Sequence, residues 1–210
     1  MKLVKWALLY AVLASTNAMA LNASSLKLKV YAIMLSTSPL CTNPFTVFSS
    51  IGTEVDFLTS PTLGSGNPPD GTYNCVIIKM SDNIKFTPST SGGACVGGTE
   101  YVAETCSTNN HGTSNAPDVA TVSTCTGTDA APVPDIVYLY LSTNPLAGTG
   151  GNTFLQPGNT SSTSGIHLSA PLVIAGSARS KFVVNATGSV DGTSGGSCGM
   201  NPPAFGFQKL

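Results

Sequence analysis

The chain has 210 residues, with 9 Lys and Arg against 10 Asp and Glu, 22 Gly, 14 Pro and 6 Cys, and only 9% of its residues charged. Charge this sparse and balanced excludes nucleic-acid binding, which needs a clustered basic footprint. Ser, Thr, Gly, Val and Pro outweigh Lys, Glu and Arg, which deprives helices of their usual surface residues and favours short strands with many turns. The expectation is an all-β protein of one large domain or two small ones.

Met1–Ala20 reads as a secretory signal peptide. Lys2 and Lys5 form the basic start, Trp6–Ala14 is an apolar run too short to span a bilayer, and Ala18-Met19-Ala20 is a small-x-small cleavage site. No Cys follows the cut, so a lipid-anchored form is not supported. No later stretch is long and apolar enough for a membrane helix, so the expected product has no membrane span and is secreted, periplasmic or on the outer surface. Without the leader, seven basic and ten acidic residues remain, a net charge of about −3, and the only Trp is gone. All six cysteines (Cys41, Cys75, Cys95, Cys106, Cys125 and Cys198) lie beyond the cut. An even number in an exported chain implies disulfides and no free thiol. With no C-x-x-C, zinc and thioredoxin-like readings fall away.

In chain order, Leu26–Leu35 opens the domain as an amphipathic strand. Leu26, Leu28, Val30, Ala32 and Met34 face inward, while Lys27 and Lys29 face water. Phe45–Phe48 and Glu54–Leu58 are two short strands separated by a turn near Gly52. Pro68-Pro-Asp-Gly71 forces a turn into the best-defined strand, Gly71–Met80, which continues through Ser81-Asp-Asn83 into Ile84–Phe86. Both of its side-chain parities are apolar (Tyr73, Cys75 and Ile77 against Val76, Ile78 and Met80), so it is central and covered on both faces.

Ser89–Pro134 reads as an inserted flap of small polar residues at one edge, stapled by three of the cysteines. Tyr101–Cys106 and Val119–Cys125 pair there as a hairpin, a geometry that favours a Cys95–Cys125 bridge. Asp135–Leu141 returns to core character. Ile166–Ile174 follows, with Ile166 and Leu168 inward and His167 and Ser169 outward, and then Lys181–Asn185. In the tail, Phe205 and Phe207 tuck back onto the domain. One internal echo is visible: Val30–Leu40 resembles Val137–Leu146 with one residue deleted. It is either coincidence in a Ser/Thr-rich chain or a pair of related strand-plus-turn units, and a single sandwich is the preferred arrangement.

Leu63-Gly64 leading to Gly71-Thr-Tyr73, Ser164-Gly-Ile-His-Leu168 with Pro171, and Phe182-Val-Val184 leading to Ser189-Val190 together resemble a family of bacterial exported β-sandwich domains of unknown function, usually surface lipoproteins. The resemblance implies a surface or envelope location and an immunoglobulin/prealbumin-like β-sandwich, here with the cysteine-bearing insertion as a departure. It implies no catalytic residues.

Motifs that carry chemistry are few. Gly192-Thr-Ser194-Gly-Gly196 has nucleophile-elbow spacing, but neither a strand nor a helix is predicted after it, so a serine hydrolase is the least favoured reading. His111 and His167 lie far apart in sequence with no acidic cluster beside either, and Asp82-Asn83, Asp135 and Asp191-Gly192 are turn chemistry rather than calcium loops. No catalytic, cofactor or metal residues are assigned, and no cofactor is expected. Tyr31, Tyr101 and Tyr140 are candidate stacking platforms for a carbohydrate-binding module. The leading expectation is a non-enzymatic secreted or cell-surface protein with a structural or adhesion-type role, meeting a protein or glycan partner through loops on a rigid scaffold.

Overall fold

The structure, a computed structural model, describes residues 20–59, 68–104, 136–149, 153–158, 164–176, 180–192 and 196–209. Residues 1–19 of the expected signal peptide Met1–Ala20, Cys106, Cys125, His111, Ser194 and the predicted strand at Val119–Cys125 lie outside the described residues. Within them the chain is all-β. In order the strands are β1 (Ala20–Leu21), β2 (Ala23–Ser36), β3 (Phe45–Asp56), β4 (Gly71–Tyr73), β5 (Cys75–Ser81), β6 (Asn83–Pro88) and β7 (Tyr101–Glu104). They continue with β8 (Ile136–Ser142), β9 (Ile166–His167), β10 (Leu172–Ile174), β11 (Ser180–Asn185), β12 (Val190–Asp191), β13 (Gly199–Met200) and β14 (Ala204–Lys209). One 3-10 turn, Phe57–Thr59, follows β3. No helix among the described residues is long and apolar enough to cross a membrane.

The main sheet has the order β7-β6-β2-β5-β8-β9, with β3 on the other edge of β2. β5 and β6 run end to end along β2, from Ser36↔Cys75 to Ala23↔Pro88. β8 and β7 in turn flank β5 and β6. β5 is the predicted central strand: it is paired on both edges, and only Lys79 of Cys75–Ser81 escapes full burial. The sequence expectation of one strand from Gly71 is corrected at Asn74. β4 pairs with β10 in a separate ribbon, so the chain changes layer between Tyr73 and Cys75. Ile166–Ile174 divides in the same way, with β9 on β8 and β10 on β4.

Three small ribbons, β4-β10, β11-β14 and β1-β12-β13, supply residues to one core with the main sheet. That core joins Leu26, Leu28, Val30, Leu35, Val76, Ile78, Met80, Phe86, Val137, Leu139 and Leu141 to Tyr73, Leu172, Val184 and Val190. Phe205 packs against it, as the sequence led one to expect, while the side chain of Phe207 is outside the described set.

A β-bulge at Tyr31 corrects the parity expected of β2. Val30 pairs with Met80 and Ala32 with Lys79, so Tyr31 is an extra residue that shifts every later side chain to the opposite face. Leu26, Leu28 and Val30 enter the main core, but Ala32 and Met34 enter a second cluster with Cys41, Cys75, Ile77, Tyr138 and Tyr140 on the other face of the sheet. Leu35 returns to the main core. The other half of this second face is wet. Lys27 sits opposite Lys85, and each is neutralised from a neighbouring strand or loop, Lys27 by Glu100 at 2.7 Å and Lys85 by Glu54 at 2.6 Å. The Glu100 bond holds the Lys27 ammonium above its usual range and the Glu100 carboxyl below. Exposed pairs of this kind add little to stability, but they decide which part of the face stays in water.

The turn expected near Gly52 is also a bulge. β3 is one strand, and Ser50 turns its hydroxyl to the carbonyl of Val30 while accepting from the Gly52 amide at 3.0 Å. Gly52 takes φ 94° there, with the Tyr31 ring so close that a Cβ would lie 2.5 Å from it.

The disulfides are Cys41–Cys75 and Cys95–Cys198. The expected Cys95–Cys125 bridge is therefore corrected. Residues 89–100 fold back against the end of β12, where Ala94 donates to the carbonyl of Gly192 at 2.9 Å, and this brings Cys95 to the tail rather than to the flap. The limits of the predicted Ser89–Pro134 insertion shift accordingly, because Cys95 is buried in the main core and β7 is a strand of the main sheet.

Three outcomes follow from this packing and these bridges. Ile78→Ala lowers the unfolding free energy in urea by about 2–5 kcal/mol, whereas Ile51→Ala, at a position 98% exposed, stays within about 0.5 kcal/mol. Alkylation of the unreduced, denatured protein adds no label, as measured by mass spectrometry. Replacing Cys41 and Cys75 by Ala removes about 2–4 kcal/mol, read from the shift in urea midpoint.

Candidate functional site

The sequence echo marks a real structural repeat, and it builds one end of the molecule. Val30 and Val137 pair with Met80 from opposite sides, Leu35 and Leu141 with Val76, and Ser36 and Ser142 with Cys75. The residue missing from the second copy is the bulged Tyr31. Beyond the strands both copies make the same turn. The Ser36 hydroxyl accepts from the Ser38 amide at 3.1 Å, and that of Ser142 accepts from the Asn144 amide at 3.0 Å. Ser38 Oγ then accepts from the Leu40 amide at 3.1 Å, and Asn144 Oδ1 from the Leu146 amide at 3.0 Å. The Cys41 amide donates to the Ser38 carbonyl at 3.0 Å, and the Ala147 amide to the Asn144 carbonyl at 2.9 Å. Ser and Asn serve here because a short side-chain oxygen reaches an amide two residues on.

The two turns are clamped to one another. Asn74, at the layer change after β4, donates from Nδ2 to the Thr37 carbonyl at 2.7 Å and accepts at Oδ1 from Thr143 Oγ1 at 3.2 Å. Its own carbonyl accepts from the Thr143 amide at 2.9 Å. The Ser142 hydroxyl donates to the Pro39 carbonyl, and Gln156 Nε2 to the Leu40 carbonyl at 2.8 Å. The Cys41–Cys75 bridge closes the set from the buried side. Within this frame Cys41 and Asn43 hold φ of 58° and 48°. Both are left-handed without being glycine, a conformation that persists only where the surroundings over-determine it.

The clamped end presents Thr37, Pro39, Asn43, Pro145, Leu146 and His167 to solvent. Leu146 is 38% exposed. His167 lies outward as expected, with Nδ1 at 3.1 Å from the Asn144 carbonyl. A carbonyl only accepts, so Nδ1 carries the proton and the ring is fixed against the second turn. The surface mixes apolar contacts with hydrogen-bonding groups, which suits docking to a protein or glycan.

The tyrosines fare differently. Tyr140 is corrected as a stacking platform: it is 2% exposed, packed in the second cluster beneath the clamped turns. Tyr101 is half-buried, stacked on Phe86 with ring centroids 5.8 Å apart, and its hydroxyl accepts from the Val96 amide at 2.8 Å. Tyr31 is half-buried beside Gly52, with Lys29 Nζ 5.8 Å from its ring centroid. The three do not form a common surface. Gly192, first residue of the elbow-like motif, has a packing role: a Cβ on it would lie 2.2 Å from the Gly92 carbonyl oxygen. Among the described residues no group of three His, Cys, Asp or Glu converges.

Sequence reasoning missed Asn74 and the twin serines as clamp residues, although the echo Leu-Ser-Thr-(Ser/Asn)-Pro-Leu was their signal. It also missed a cavity of about 160 Å³ between the main sheet and the tail. Leu26, Leu28, Met80 and Leu139 form its floor, and Phe154, Met200 and Phe205 are among the residues that cover it. Of the lining residues only Thr153 and Asn201 have polar side chains.

Burial raises the Tyr140 phenol from 10.0 to about 12. Between these values the unfolded chain has released a proton that the folded chain keeps. The stability contributed by the neutral phenol is therefore complete below pH 10 and falls as pH rises to about 12, by on the order of 2–3 kcal/mol. Urea midpoints followed across this interval show the fall, and Tyr140→Phe flattens it. Comparisons of the chain with protein-family models, curated proteins and solved structures found no match, so the reading of this site rests on the chain's own geometry.

Proposed function

We propose that the protein is an exported, non-enzymatic β-sandwich of immunoglobulin/prealbumin-like type, which binds a protein or glycan partner outside the cytoplasm through the clamped twin-turn end. The observation that carries this reading is the pair of left-handed residues, Cys41 and Asn43, at the end of a turn whose Thr37, Pro39 and Leu40 carbonyls are held by Asn74, Ser142 and Gln156, with Cys41 tied to Cys75. Loops already fixed in one conformation lose little entropy on binding, which is the advantage of preorganisation. The bridged cysteines support an oxidising compartment, in keeping with the leader at Met1–Ala20. Cleavage after Ala20 leaves Leu21 free to keep its pairing with Val190.

The test is binding of the labelled, oxidised protein to the surface of the cells that secrete it and to a glycan array. Leu146→Asp weakens capture by about tenfold or more while the melting temperature holds, and Ile51→Asp, on the exposed bulge of β3, leaves capture unchanged. Capture insensitive to Leu146→Asp overturns the assignment of the surface. Ester or peptide hydrolysis abolished by Ser194→Ala overturns the non-enzymatic reading.

A further inference from the structure

We infer that the cavity between the main sheet and the tail is a binding site for one small apolar group, about the size of a benzene ring. This is independent of the twin-turn surface. The cavity lies among Leu26, Leu28, Met80 and Leu139, and its volume is about 160 Å³. Those four side chains are at most 4% exposed and make a buried floor, while Asn201 and Pro202 at the rim are exposed, so the space is a pocket that opens to solvent. Pockets of this make-up, with apolar walls and a few polar groups at the mouth, are where small ligands bind.

Water is a poor occupant. A bound water gains from two to four polar partners, and among the lining side chains only Thr153 and Asn201 offer any. An enclosed apolar cavity of about 150 Å³ takes up benzene or xenon, and the pocket here is of similar volume. The rim fits admission from solvent, since the lining residues Asn201 and Pro202 are exposed. Met80 and Met200 stand on opposite walls, the first on β5 and the second on β13. Unbranched thioethers adapt their shape to an occupant and favour contact with an aromatic ring. The ligand class is therefore a ring or alkyl group of about six carbons, with any polar group left at Asn201.

The methionines provide the readout. Met80 and Met200 line the cavity, while Met34 belongs to the second cluster on the other face of the sheet. Methyl-labelled methionine spectra of the oxidised protein, titrated with benzene, show saturable shifts of Met80 and Met200 with Met34 unmoved. The melting temperature rises by about 3–5 °C at ten times Kd. Ala103→Leu, which extends a side chain into the cavity, weakens the shifts at least tenfold while the Met34 signal keeps its position. Should that variant not fold, competition between benzene and cyclohexane for the same two signals in the unaltered protein replaces it. Benzene and 1-hexanol present the same chemistry as a free ring and as a chain end, and the tighter of the two names the source. Met80 and Met200 signals that stay fixed at saturating benzene, or that move together with Met34, overturn the proposal.

Discussion

Everything in the fold depends on β5 being hydrogen-bonded along both edges and buried on both faces. A strand in that position has no side on which a polar residue is cheap, and Cys75–Met80 meets the demand with a single exception, Lys79, which rests its ammonium 5.7 Å from the Tyr138 ring centroid. The two neighbours of β5 carry the same local sequence in the same register, so β5 lies midway between the two copies of a small internal repeat. Fixing one strand thereby fixes two turns, and the turns are held to one another by Asn74 and to the strand by the Cys41–Cys75 bridge.

Much of this was legible from residue patterns. The two-sided apolar parity of Val76–Met80 named the central strand, the Lys27 and Lys29 alternation named the wet face, and the outward placement of His167 followed from Ile166 and Leu168. What escaped notice has a common physical origin. Parity carries through a strand only while the pairing is regular, and Tyr31 inserts one residue that nothing in its own chemistry announces. Ala32 and Met34 are apolar on either face, so the pattern survives the flip and conceals it. Asn74 is likewise a polar residue between two apolar segments, and its role as a clamp depends on two turns far away in sequence. The bridge from Cys95 to Cys198 is settled by long-range backbone contact at Gly92, Gly93 and Gly192, and sequence separation gives no guide to it.

The second face of the main sheet divides into unlike halves at the bulge. On one side Lys27, Lys85, Glu54 and Glu100 form crossed ion pairs in water, and on the other Met34, Ile77, Tyr138 and Tyr140 are buried under the turns. A single extra residue in β2 thus converts an amphipathic strand into one that serves two cores in succession. The cost of the bulge is a locally interrupted ladder, and the Ser50 hydroxyl partly offsets it by bonding to the Val30 carbonyl.

β7 and β8 lie in line beside β6 and β5, with Glu104 paired to Asn83 and Ile136 to Ser81, so only Asp82 separates their partners. Residues 104 and 136 therefore lie within about two strand positions of one another, some 7 Å apart. Any polypeptide that starts and ends at those two points leaves both ladders intact. Because closure entropy grows only with the logarithm of loop length, doubling the length of such a segment costs about 0.6 kcal/mol. The sheet is in that sense a socket, in which the framework and whatever is grafted between 104 and 136 can change sequence independently.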